Sequence, residues 1–178
     1  SPFFDPPAET NLPAKDVWRL LRKRGDAELN YYVTVERFDK EAAVRIHAPE
    51  ALANLQPADR PGAETTFHEL RLEGSRQLHA KGVRLEDDRW SAYLLGSSNF
   101  TRAGLGLAGP ANLEANLLYL VDGEADPSSR KMLNLAFPES VPLDIDADEV
   151  SWMPIPNDDE ASIGTNPELP TAFGAAIY

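Results

Sequence analysis

On an extended segment His79 and Lys81, two residues apart, project from one face and set an imidazole beside an ammonium. That pair suits a phosphate diester. The lysine offers positive charge to the non-bridging oxygens, while the imidazole, with an ordinary pKa of about 6.5, can attack phosphorus or carry a proton near neutral pH. Gly96-Ser97-Ser98-Asn99-Phe100 follows, and the hydroxyl and amide groups of Ser97, Ser98 and Asn99 could complete an oxyanion cradle. Each residue also has an ordinary reading. A lone histidine is usually structural, Asn99 could simply end a strand and turn the chain, and Glu114 could be no more than the acid at the head of a strand.

Together these residues carry a resemblance. His79-x-Lys81 with Gly96-Ser97-Ser98-Asn99, extended by Phe100-Thr101, Ala103-Gly104-Leu105-Gly106 and Asn112-Leu113-Glu114, resembles the phospholipase D superfamily from its His-x-Lys strand through its downstream glutamate. Ser1-Pro2-Phe3-Phe4-Asp5 looks like the first strand of such a module. The resemblance spans roughly residues 1 to 135 and is strongest from 78 to 122. Two departures stand out. Where the family has an acid five residues after the lysine, this chain has Glu86 followed by Asp87 and Asp88, and Gly96 comes three residues later than usual, as a longer hairpin would require.

The resemblance implies an α/β fold, a mixed β-sheet sandwiched between α-helices, and a metal-independent phosphodiesterase without cofactor. One histidine attacks phosphorus to form a phosphohistidine, the equivalent histidine of a second half protonates the leaving group, and water then releases the product. His79, Lys81, Asn99 and Glu114 would be catalytic, Glu114 orienting the imidazole, with Ser97 and Ser98 contacting substrate. One His-x-Lys per chain calls for a partner half, either from the same full-length chain or from a homodimer. The substrate is left open between nucleic acid, as for a nuclease, and phospholipid. The alternative function is a non-catalytic module of the same fold, serving nucleic-acid binding or assembly.

Length and composition set the frame for these residues. The 178 residues, 42% hydrophobic, fit a folded protein. No cysteine is present, which removes disulfides and cysteine metal sites and favours a reducing compartment. No apolar run approaches the roughly 18 residues of a membrane span, so the expectation is a cytoplasmic protein without stable membrane insertion. The start at Ser1-Pro2 and the apolar finish Phe173-Gly174-Ala175-Ala176-Ile177-Tyr178 read as those of the C-terminal half of a larger protein. The net charge of −12 is uneven: residues 1–110 carry 15 Lys and Arg against 16 Asp and Glu, and residues 111–178 carry 2 against 13. The tail charge reads first as a solvated or inter-domain segment. Accordingly, 1–137 is the half-module and 138–178 an acidic, Pro-rich linker or wrapping segment.

The elements that must position the chemistry follow from periodicity. Ser1 to Asp5 is a short strand, Leu12 to Arg24 an amphipathic helix closed by Gly25, and Leu29 to Val35 a strand. The basic cluster Arg19, Arg22, Lys23 and Arg24 reads as a solvated helix face. Glu41 to Ile46 and Pro49 to Leu55 read as helical pieces, Gln56 to Ala63 as a loop and Thr65 to Leu72 as a strand. Gln77 to Leu85 and Arg89 to Ser97 form a hairpin whose apolar residues on both faces predict cover on both sides. A turn centred on Asp88 would pair His79 with Ser97 and put His79, Lys81, Ser97 and Asn99 on one face. Glu114 to Val121 is a buried strand and Pro127 to Leu135 a short helix. His47 and His68 read as satisfied or exposed.

Overall fold

In the computed structural model, residues 3–5, 10–21, 25–38, 43–55, 62–71, 79–107, 112–146 and 149–155 are described. Leu78, Arg22-Lys23-Arg24, most of the Gln56–Ala63 loop and the chain end from 156 lie outside them.

The described residues form an α/β structure in which strands predominate. Helix α1, Leu12–Leu21, buries Pro13, Ala14 and Trp18. Strand β1, Ala27–Val33, pairs in parallel with β4, Ala63–Leu70, which pairs antiparallel with β8, Ser140–Leu143. Short β2, Val35–Arg37, is antiparallel to β3, Ala43–Ile46, and β3 is parallel to β9, Glu149–Trp152. Strands β5, Gly82–Glu86, β6, Trp90–Gly96, and β7, Asn116–Asp122, make an antiparallel meander. Helix α2, Pro127–Ala136, follows β7.

Among the described residues the strands fall into three three-stranded sheets, accompanied by two α-helices. Within the stretch Glu41 to Ile46, the described residues Ala43–Ile46 form a strand rather than a helical piece. Its good helix formers are overridden because Val44 and Ile46, alternating with Ala43 and Arg45, enter the core between β2 and β9. Pro49 to Leu55 keeps only one helical turn, at Glu50–Leu52. Residues after Phe137, which lack periodicity, nevertheless supply β8 and β9, so this segment wraps back onto the first half of the chain.

The core gathers Phe4, Ala14, Tyr31, Val33, Val44, Ile46, Ala48, Leu52 and Phe67. Tyr31 stacks on Phe67 at 5.3 Å between ring centres, and Trp152 meets Phe67 edge-on at 5.1 Å. The meander lies at the margin of this core. Its expected two-sided cover is missing among the described residues: Leu85 is 57% exposed, Leu118 59% and Leu120 61%. Tyr93 on the other face is buried near Phe137, 5.8 Å between ring centres.

Candidate active site

The hairpin that follows His79 and Lys81 closes one residue later than expected. Val83 pairs with Leu94 and Glu86 with Ser91, so the loop is Asp88-Arg89 rather than a turn centred on Asp88. Asp87 sets this: its Oδ1 accepts the Arg89 N–H at 2.9 Å and the Trp90 N–H at 2.6 Å, an Asx turn. Arg130 of α2 then donates to the Asp87 and Asp88 carbonyls, each at 2.7 Å.

The register moves the site residues. Gly96 N–H donates to the Lys81 carbonyl at 3.2 Å, so Lys81 lies across from Gly96, and the pairing of His79 with Ser97 does not form. Alternation along the ladder sends Ser97 away from the Lys81 face. There Ser97 Oγ donates to the Glu114 carboxylate and accepts the Ala115 N–H at 2.9 Å. Asn112 Nδ2 donates to the other Glu114 oxygen at 3.2 Å. Ser98 faces Asn116, whose Nδ2 donates to Ser98 Oγ at 2.8 Å.

His79 is exposed, beside Lys81 just before β5. Lys81 Nζ donates to the His79 carbonyl at 3.3 Å and lies 5.6 Å from the centre of the Phe3 ring, a cation–π contact. Asn99 is buried, 6% exposed, and its Oδ1 has no hydrogen-bond partner among the described residues. Its backbone is crowded by Gly104, where an added Cβ would stand 2.6 Å from the Asn99 carbonyl oxygen. The next residue, Phe100, forms a parallel bridge with Phe4, which ties the predicted first strand to the Gly-Ser-Ser-Asn segment.

His79 and Lys81 therefore form one group, Ser97, Asn112 and Glu114 a second, and Ser98 with Asn116 a third, joined through the Gly96–Lys81 hydrogen bond. Glu86, at the family's acidic position, is used inside the hairpin: its Oε1 accepts from Arg84 at 2.5 Å and from Ser91 Oγ at 3.0 Å. The other histidines lie elsewhere. His47 Nδ1 is 2.9 Å from Thr34 Oγ1, and burial pushes its pKa below the ordinary value. His68 stacks on Tyr32 and lies 2.9 Å from Asn30 Oδ1.

Asn116 escapes a motif-based reading because it acts only by touching a motif residue, whereas Asn112 and Phe3 lie in the quoted segments without a role having been given to them. Among the described residues no helix is long and apolar enough to cross a membrane. Comparison with protein-family models, with curated proteins and with solved structures gave no match.

Proposed function

We propose that this chain is one catalytic half of a phospholipase D-like phosphodiesterase, with the mixed-sheet fold of that superfamily completed in the whole protein, and that it works in the cytoplasm. The observation that carries the reading is the Gly96–Lys81 hydrogen bond, which brings the His-x-Lys segment alongside Gly-Ser-Ser-Asn at one end of the meander. An exposed imidazole beside a lysine supports the reading, and the serine-held carboxylate of Glu114 is joined to that group through the hairpin rather than by direct contact.

In the proposed reaction an imidazole nitrogen of His79 or of its counterpart bonds to phosphorus as the P–O bond to the leaving alcohol breaks. The other histidine gives that alcohol its proton. The same histidine then takes a proton from water, whose oxygen attacks phosphorus as the P–N bond breaks, releasing a phosphomonoester. Lys81 balances charge on the phosphoryl oxygens, with Ser98 and Asn99 assigned to them as well. Glu114 keeps acceptor sites beyond those taken by Ser97 and Asn112, and we assign these to the imidazole N–H. Ser97 becomes the residue that holds Glu114. The counterpart histidine comes from a second half, in the same full-length chain or in a homodimer.

The test is hydrolysis of bis(p-nitrophenyl) phosphate by the full-length protein, with chelator present. His79→Ala should lower the rate on the order of a thousandfold or more, chelator should leave it unchanged, and acid-labile phosphate should be trapped on His79 or its counterpart. Full activity of His79→Ala beside an active wild type would reduce the module to a structural or nucleic-acid-binding part.

A further inference from the structure

We propose that Arg102 is a second phosphate-binding group beside Lys81 and that the substrate is single-stranded nucleic acid, so that the diester cut at His79 is one of a series. This rests on the phosphodiesterase reading above. Its basis is the consecutive run Phe3-Phe4-Asp5. The Phe3 ring meets Lys81 Nζ, Phe4 bridges Phe100, and Asp5 grips Arg102. On an extended segment Phe3 and Asp5 point to one side about 7 Å apart. Lys81 and Arg102 are therefore anchored on two side chains of one extended run, whose backbone spacing is like that of neighbouring phosphates of one strand.

Asp5 is 6% exposed and uses both oxygens on Arg102: Oδ1 accepts the backbone N–H at 2.9 Å, and Oδ2 lies 3.1 Å from Nε. The guanidinium is held by its stem. Its side chain is 49% exposed, and the contacts with Asp5 engage Nε and the backbone N–H, leaving Nη1 and Nη2 outside that pair. Two such donors in a fixed plane match phosphate oxygens. The loop beneath is tied down as well, with Leu105 N–H donating to the Thr101 carbonyl at 3.0 Å and Leu107 N–H to the Arg102 carbonyl at 2.8 Å. An ion pair this exposed adds little stability; what the arrangement gives is direction. A single-diester head group would leave that direction unused, whereas a polynucleotide brings its next phosphate along a positively charged track.

The experiment compares a single-stranded oligonucleotide with bis(p-nitrophenyl) phosphate in the full-length protein. Arg102→Gln, which keeps an amide donor for Asp5, should lower kcat/KM on the oligonucleotide about tenfold more than on the single diester. The slope of log affinity against log salt should fall in magnitude by about 0.7 to 1, and Arg102→Lys should restore part of both. Equal losses on the two substrates, an unchanged salt slope, or faster cleavage of phosphatidylglycerol vesicles than of the oligonucleotide would overturn the proposal. Should the wild type cleave neither diester, the phosphodiesterase reading falls, and anisotropy of a labelled oligonucleotide still decides Arg102. An unchanged Kd for Arg102→Gln would then refute it.

Discussion

At the residue scale, the types that do chemistry stand out in the sequence, while the contacts that arrange them do not. His79, Lys81, Ser97 and Glu114 could be picked out by type and spacing, yet Ser97's bond to Glu114 depends on a register fixed by Asp87, six residues after Lys81 and ten before Ser97. The Asx signal was present, in an acidic run whose three members look alike. Asn99 offers a sharper case. Its burial follows from Gly104, which lets the returning loop lie against the Asn99 backbone, with Thr101 Oγ1 accepting the Gly104 N–H at 3.0 Å. Gly104→Ala should therefore cost about 1–3 kcal/mol of stability by overpacking, read from chemical denaturation. On the phosphodiesterase reading proposed above, it should also lower hydrolysis of bis(p-nitrophenyl) phosphate by displacing Asn99. Wild-type stability in that variant would mean the loop gives way easily.

At the element scale, local periodicity found α1, β1, β4, the hairpin and α2, and failed where pairing came from far along the chain. Ala43–Ile46 becomes a strand because β9 and β2 flank it, a fact no window around residue 43 contains. β7 was found, but its burial was not: an apolar run records the capacity to be covered, and the cover is absent among the described residues. Helix α2 shows a local signal that worked. Asp126 caps it, accepting the Ser129 N–H at 3.0 Å, with Pro127 following at the first position. Hydrogen bonds from Ser129, then Ser128, lower the Asp126 carboxyl to about 2. A pKa depressed in the fold means that its contribution is present above the ordinary value of about 3.9 and is lost as pH falls from there toward 2. Acid unfolding followed by circular dichroism should show Asp126→Asn with a shallower loss of stability than wild type in that window. Identical curves would show that the cap has no part in it.

At the scale of the whole molecule, composition predicted a folded chain with an acidic tail but could not reveal that part of the tail is architectural. Leu143 and Trp152, carried by β8 and β9, pack against the buried core, Trp152 meeting Phe67 edge-on. Proline and acid content hid these strands, because four residues each leave too short a pattern to read. Trp152→Ala should cost about 2 kcal/mol, and ending the chain after Phe137 should abolish cooperative unfolding, both measurable by thermal melts. A truncated chain that still melts cooperatively would show that the first half holds itself together.

The pairing of β3 with β9 joins partners about a hundred residues apart, and this bears on how the protein is made. During synthesis at roughly 5–20 residues per second, Val44 and Ile46 leave the ribosome many seconds before the strand that will lie beside them exists. Over that interval the nascent chain must carry an open strand edge and an unfinished core, a state prone to association with other chains. Its yield in the cell should therefore depend on translation speed and chaperone supply more strongly than the stability of the finished fold would suggest.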